Sequence, residues 1–390
     1  MASYKTLADL PNVQGKRVLV RSELNVPIEN GVVADAFRIE MALGTLEELS
    51  ARGAKVIVVA HLGRNPEDSL APVYEVLRTK VPRAKFVPAL VGEDADAAVA
   101  DLRDGDILLL ENVRSHAGEE KNDPEFAAAL ARHADYYVND AFGATHRAHA
   151  SIVGVPSHIP GCAGLLLEKE LQELSKGLTP ESPSLFILGG AKFDTKEPLL
   201  EAALPRYDRI LIGGALANDF LKAEGFAVGK SLVSEHGTEK VSELLASGKI
   251  IAPVDVVVET PDGVHTKAAS HVGPDDKIVD IGPETVTELG VRITHAKDIL
   301  WNGPLGLYEG GYMESTKSVA QLVADAPAHS IVGGGDTVAA IRELGLQDQF
   351  GFLSTGGGAM LDYLVDGKLP GVDALMESAA RGADGGVAQQ

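Results

Sequence analysis

Ile331-Val-Gly-Gly-Gly-Asp-Thr337, followed after a helical interval by Phe352-Leu-Ser-Thr-Gly-Gly-Gly-Ala-Met360, is the stretch from which the chain is read: two apolar runs, each ending in three consecutive glycines. Glycine is costly to order, so a triplet at a strand end makes sense where backbone N–H groups must approach something closely. A helix N-terminus behind the triplet makes that something an anion, most often phosphate. Asp336 adds a hard oxygen at the same tip, and a magnesium nucleotide uses this pairing: amides on the phosphates, one carboxylate on the metal. A tight turn would account for one such triplet. Two so close together, one of them closed by Asp336-Thr337, favour the anion site.

The outer bounds agree with a soluble enzyme. A length of 390 residues suits two domains, and 45% hydrophobic residues supply both cores. The formal net charge of -21 opposes binding to nucleic acid or an anionic membrane, so any anion site must be built locally. Cys162 is the only cysteine, which excludes an internal disulfide or a cysteine-based zinc site and predicts a reducing, cytoplasmic setting. No apolar stretch reads as a signal peptide or a membrane span.

The first half repeats one pattern, in which a short apolar run ends abruptly in polar residues. Arg17-Val-Leu-Val-Arg21 leads to Ser-Glu-Leu-Asn25, Val56-Ile-Val-Val-Ala60 to His-Leu-Gly-Arg64, Ile107-Leu-Leu-Leu110 to Glu-Asn-Val-Arg114, and Tyr136-Tyr-Val138 to Asn-Asp-Ala-Phe142. Between the first two, Ile39, Leu43 and Leu46 follow helical spacing that Gly53 stops. Such βαβ units predict a parallel sheet covered on both faces, with ligands bound outside the carboxyl ends of the strands. Arg21, Arg38, His61, Arg64, Arg114, His146, Arg147 and His149 fall at or just beyond those ends. Guanidinium forks suit phosphate and carboxylate. Singly each is an ordinary surface or structural residue; together they predict a small, multiply charged anion.

A helix over Ala163 to Leu174 and a segment rich in Pro, Ser, Thr and Glu from Gly177 to Ser184 mark a junction. This gives a first domain over 1–164, a linker helix and hinge over 165–182, and a second domain over 183–369. Beyond the junction the strand tips change chemistry: Leu185-Phe-Ile-Leu188 ends in Gly-Gly-Ala-Lys192, Ile210-Leu-Ile212 in Gly-Gly-Ala-Leu216, and Ile299-Leu-Trp301 in Asn-Gly-Pro-Leu-Gly306. Lys192 and Lys196, four apart at a predicted helix start, share a face where the macrodipole disfavours cations, a conflict an anionic ligand would relieve. Gly225-Phe-Ala-Val-Gly229-Lys230-Ser231 only looks like a phosphate loop, since it has one residue too few between its glycines and follows a helix. The first strand tip lacks Gly-x-Gly-x-x-Gly, which counts against a dinucleotide-binding dehydrogenase.

With these residues in view, the chain resembles phosphoglycerate kinases over nearly its whole length. The resemblance is carried by Val138-Asn-Asp-Ala-Phe-Gly-Ala-Thr-His-Arg-Ala-His-Ala-Ser151, Leu108-Leu-Leu-Glu-Asn-Val-Arg114, His61-Leu-Gly-Arg64, Gly189-Gly-Ala-Lys192, Trp301-Asn-Gly-Pro304 with Glu309, Gly333-Gly-Gly-Asp-Thr337 and Ser354-Thr-Gly-Gly-Gly-Ala359. It implies two doubly wound parallel-sheet (Rossmann-like) α/β domains facing each other across a hinged cleft, with residues 370–390 returning to the first. It implies a cytoplasmic monomer that transfers a phosphoryl group reversibly between 1,3-bisphosphoglycerate and MgADP, giving 3-phosphoglycerate and MgATP, in glycolysis. By position, Glu23, Leu24, Asn25, Arg38, His61, Leu62, Gly63, Arg64, Arg114 and Arg147 would bind the acid. Lys196, Gly213, Asn302, Pro304, Glu309, Gly333, Gly334, Gly335, Asp336 and Thr337 would hold the nucleotide, with Asp336 on Mg2+, and Arg38, Lys192, Gly335 and Gly358 would surround the phosphoryl group in transfer.

The sequence departs from the family pattern at three places: Glu23-Leu24 in place of Asp-Phe, Phe193-Asp-Thr-Lys196 in place of Val-Ser-Asp-Lys, and Gly213-Gly-Ala-Leu-Ala-Asn-Asp219 in place of a glycine-rich run ending Ala-Tyr-Thr. The other readings are a phosphate- or nucleotide-binding module of the same fold without turnover, and a dehydrogenase. Retention of Arg38, Lys192, Lys196 and Asp336 favours the kinase.

Overall fold

The computed structural model describes residues 4–191, 193–234 and 238–384. It divides into two units, one formed by residues up to Gln172 together with those from Lys368 onward, the other by Glu173–Gly367.

The first unit is built on a six-stranded parallel sheet in the order Ala84–Phe86, Ile107–Leu109, Lys55–Val59, Arg17–Ser22, Tyr136–Asp140, Gly161–Ala163. Val56, Ile57, Val58 and Val59 are all fully buried, as a strand covered on both faces requires. Ile39, Leu46 and Leu49 of the Phe37–Ala51 helix pack with Val18, Val20, Val56 and Val58 in one core. Gly53 ends that helix region at a φ of +76°, where its carbonyl accepts from the Gly15 amide. Strand order reverses beside Arg17–Ser22, so Ser22 pairs in register with Asp140 and the next residues of both strands emerge side by side. The helix Pro370–Asp384 lies on this unit: Gly371 donates to the Thr145 carbonyl (2.9 Å), and Ser378 Oγ accepts from the Gly161 amide (2.9 Å).

The helix Leu165–Leu178 continues through Gly177, further than its sequence pattern predicts. At its start Asp140 Oδ1 accepts from the amides of Leu166 (2.9 Å) and Leu167 (3.3 Å), and Thr45 Oγ1 accepts from that of Leu165 (2.9 Å), so three of the free first-turn donors are satisfied by side chains.

The second unit has its own six-stranded sheet, Ile250–Ile251, Arg209–Ile212, Ser184–Leu188, Asp298–Asn302, His329–Gly333, Phe352–Leu353, parallel throughout. Order reverses between Ser184–Leu188 and Asp298–Asn302. At that point the chains come so close that a Cβ on Gly189 would sit 2.0 Å from the Pro304 carbonyl oxygen. The unit also carries an antiparallel sheet, Gly263–Ala268, Asp255–Thr260, Lys277–Ile281, which a reading in terms of parallel strand tips does not foresee. Val256 and Val258 of its central strand pack on Leu221. The false phosphate loop is spent on this sheet: the Lys230 amide donates to the Asp276 carbonyl, and Ser231 Oγ accepts from the Ile278 amide.

Among the described residues no helix is long and apolar enough to cross a membrane.

Candidate active site

The carboxyl edge of the first sheet collects cations on a scaffold of buried polar contacts. Arg21, on the central strand, is 1% exposed. Its Nε donates to Ser151 Oγ (2.9 Å), its Nη1 to the Ser22 carbonyl (2.7 Å), and its Nη2 meets His61 Nδ1 at 2.9 Å. The His61 pKa is held well below the ordinary imidazole range, first by burial and then by the charges of Arg21, Arg114, Arg147 and Arg38. That list locates the cluster, because four guanidiniums from four separate segments bear on one ring. Burial, then Arg147, lowers the pKa of Arg114 as well. His149 is lowered to about 4 by burial and then by Arg147. Cations so crowded favour a small polyanion among them.

Tight turns aim these groups. Asn112 clamps the turn after His61: its Oδ1 accepts from the Leu62 amide (3.1 Å), and its Nδ2 donates to the carbonyls of Leu62 (2.9 Å) and Asp68 (2.7 Å). Asn25 Oδ1 accepts from the Gly63 amide (2.9 Å), and Arg114 Nη1 donates to the Gly63 carbonyl. Gly63 has a φ of +60°, and a Cβ there would strike the Asp68 carboxylate, so only glycine makes this bend. Arg38 Nη1 donates to the Asn25 carbonyl (2.5 Å), and its Nε stands 3.9 Å from Glu23 Oε1. Arg147 Nε donates to His146 Nε2 (3.2 Å), and Arg64 is exposed at the same edge.

Glu23 is buried, and its Oε2 has no hydrogen-bond partner. Its carboxylate lies against Gly143, where a Cβ would lie 2.7 Å from that oxygen. Leu24 and Leu62 belong to the core. Their side chains pack in the core, and Leu62 gives both backbone groups to Asn112.

The second sheet offers backbone. Gly334, at a φ of +99°, caps the helix Gly335–Glu343, and Gly356 caps Gly357–Asp366. The two N-termini approach so closely that a Cβ on Gly357 would sit 3.4 Å from the Gly334 Cα, whereas one on Gly335 would meet nothing within 4 Å. Gly358 is the second residue of its helix. Gly333 packs against Met360 Sδ. Thr337 is fully buried and its Oγ1 has no hydrogen-bond partner. Asp336, in the same first turn, has its carboxyl pKa raised by burial and then by Glu309. Lys196 Nζ donates to Asn302 Oδ1 (3.0 Å), and burial lowers its pKa to about 8.

One expectation changes here. The helix after the lysines begins at Glu197, so Lys196 is its N-cap and does not lie on its face; Lys192 lies outside the described residues. The Gly213 amide donates to the Leu188 carbonyl (2.8 Å), so it is not a free donor. Pro304 contributes a wall at the strand crossing, its carbonyl turned to Gly189. The residues that sequence reading misses are Asn112, whose side chain holds the backbone of Leu62 and Asp68, and Glu119 and Ser151, which hold each other and Arg21.

Among the described residues no group of three or more His, Cys, Asp or Glu could hold a metal by itself. Asp336 offers only carboxylate oxygen, with the charge of Glu309 acting on it, which fits a magnesium ion that keeps water and phosphate as its other ligands.

Comparison with known proteins places these features. The family model described as phosphoglycerate kinase matches residues 7–368. A phosphoglycerate kinase of Methylobacterium radiotolerans is 44% identical, over 96% of this chain and 99% of its own. One of Thermus thermophilus is 46% identical, over 95% and 99%. Among solved structures, phosphoglycerate kinase from Coxiella burnetii superposes with a TM-score of 0.84 at 35% identity, covering 96% of this chain and all of that one. The enzyme from Pyrococcus horikoshii gives 0.88 at 30% identity, covering 97% and all.

Proposed function

The chain belongs to the phosphoglycerate kinase family, and from that premise we propose that the first unit binds the phosphoglycerate and the second the magnesium nucleotide. The family is one of transferases that move a phosphoryl group between 1,3-bisphosphoglycerate and ADP, giving 3-phosphoglycerate and ATP, in glycolysis. The observation that carries the division of labour is the convergence of Arg21, Arg38, Arg114 and Arg147 on buried His61, in a chain of net charge -21.

In the ATP-consuming direction a carboxylate oxygen of 3-phosphoglycerate attacks the γ-phosphorus, and the bond from that phosphorus to the β-bridging oxygen breaks. No proton moves, and no covalent enzyme intermediate is needed. The residues' task is to neutralise charge on the equatorial oxygens and to hold donor and acceptor in line. We assign Arg114, Arg147, Arg64 and His61 to the phosphate and carboxylate of the acid, and Glu23 and Asn25 to its hydroxyl end. Glu23's unpartnered Oε2 supports its place there. Lys196, Asn302, Glu309 and the Gly333–Thr337 turn are assigned to the nucleotide, and Arg38, Lys192 and the amides of Gly335 and Gly358 to the phosphoryl group in transfer. Asp336 would hold magnesium, which when bound supplies charge neutralisation to the nucleotide phosphates.

This proposal also has the protein working as a monomer in the cytoplasm, with small molecules as its only partners. An assay coupling ADP formation to 3-phosphoglycerate and MgATP tests the activity. Turnover that needs both substrates is the expected result, and binding of each without conversion would contradict it.

A further inference from the structure

Behind His61 lies a chain of buried groups that ends at Glu119. Arg21, Glu119 and Ser151 are all 1% exposed or less. Glu119 grips Ser151 with both oxygens: Oε2 accepts from its amide (2.9 Å) and Oε1 from its hydroxyl (2.6 Å). The hydroxyl, its own proton thus committed, accepts from Arg21 Nε (2.9 Å). Ser151 is fixed further by Tyr137, whose hydroxyl donates to its carbonyl (2.7 Å). Glu119 therefore balances the Arg21 charge through a single hydroxyl, in surroundings that would make either charge costly alone.

The last link is chemically one-sided. A guanidinium has only donors, so the 2.9 Å contact of Arg21 Nη2 with His61 Nδ1 requires a lone pair on that nitrogen. The ring proton must then be on Nε2, and an imidazolium, with a proton on each nitrogen, would set donor against donor.

We propose that Glu119, Ser151 and Arg21 are positioning residues that lock His61 as the neutral Nε2–H form, giving the acid-binding edge a fixed N–H donor that neither titrates nor switches tautomer. This rests on the assignment of the phosphoglycerate to the first unit. The lock matters because a bound anion ordinarily draws a proton onto a nearby histidine. Here that response is blocked, and the cationic charge of the site is set by arginines, Arg38, Arg64, Arg114 and Arg147. Burial and the same arginines act in the same direction on the ring, while His149, 3.9 Å from Glu119 Oε1, is the titratable group facing the far end of the chain.

The test is nitrogen-15 correlation spectroscopy of the histidine rings in the ligand-free protein, taken from about pH 8 down to about pH 6, where a free imidazole titrates. The wild-type protein should show His61 as the Nε2–H tautomer throughout. Ser151→Ala should release it into a mixture of tautomers and raise the KM for 3-phosphoglycerate about three- to tenfold, the worth of a hydrogen bond, with the KM for ATP unchanged. Should a thermal melt show that variant unfolded, Glu119→Gln is read in the same way. An imidazolium or Nδ1–H form in the wild-type protein overturns the proposal, as does a folded variant whose spectrum and KM are both unaltered. Because the spectra are taken without substrate, they decide the lock separately from the acid's assignment to this edge.

Discussion

The two sheets share one architecture and differ in what stands at their carboxyl edges. In the first unit the edge is made of side chains with buried polar groups behind them: Asn112 and Asn25 hold the His61 turn, and Ser151 and Glu119 hold Arg21. In the second unit the edge is made of backbone, and it depends on side chains being absent. A single methyl at Gly189 or Gly333 would collide with the Pro304 carbonyl or Met360 Sδ. A guanidinium edge should therefore fail when a buried acceptor is removed, and a glycine edge when a methyl is added.

The largest effect expected from this contrast is steric. Gly189→Ala places a Cβ 2.0 Å from a carbonyl oxygen, and overpacking against backbone should destabilise the second unit by about 3 kcal/mol. A calorimetric melt should show its unfolding shifted down by about 10 °C. Gly335→Ala, with nothing within 4 Å of the new methyl, should leave stability within about 0.5 kcal/mol. It should nevertheless weaken ADP binding about tenfold if a phosphate is seated on that amide. Equal melts for the two variants would break the steric half of the comparison.

A moderate effect is expected from pH. Burial lowers Lys196 to about 8, so the free protein carries this charge below that pH and loses it above. A phosphate favours the charged form. ADP affinity should thus be flat below about 8 and fall as pH rises through it, and Lys196→Met should remove that part of the dependence. A smaller effect is expected at Asp336. Its replacement by Asn should weaken MgADP about three- to tenfold more than metal-free ADP, because it removes a charge facing the ion. Matching losses for the two forms would take Asp336 away from the metal.

How legible each edge is in the sequence follows from the same contrast. Both parallel sheets could be read because unbroken apolar runs such as Val56-Ile-Val-Val mark buried strands, and their ends mark the ligand edge. His61 and Arg114 stand just beyond those ends and Arg38 and Arg147 further along the chain, and the structure brings all four to one place. Glu119 and Ser151 could not be found that way. They act on another side chain, and Ser151 reaches Arg21 across 130 positions, where no local periodicity carries a signal. The side chain of Leu24 turns into the core, which sequence adjacency to Glu23 and Asn25 does not reveal. The antiparallel sheet did have a local signal, since Thr260-Pro-Asp-Gly263 between two strand-forming runs is a hairpin turn.

The division of labour itself is tested most directly by titration calorimetry of 3-phosphoglycerate and of MgADP, each alone, into Arg147→Ala and Lys196→Met. The account predicts a crossed pattern: the first variant loses about tenfold or more in affinity for the acid and keeps the nucleotide, and the second does the opposite. Parallel losses of both ligands in either variant, with its fold intact, would contradict it.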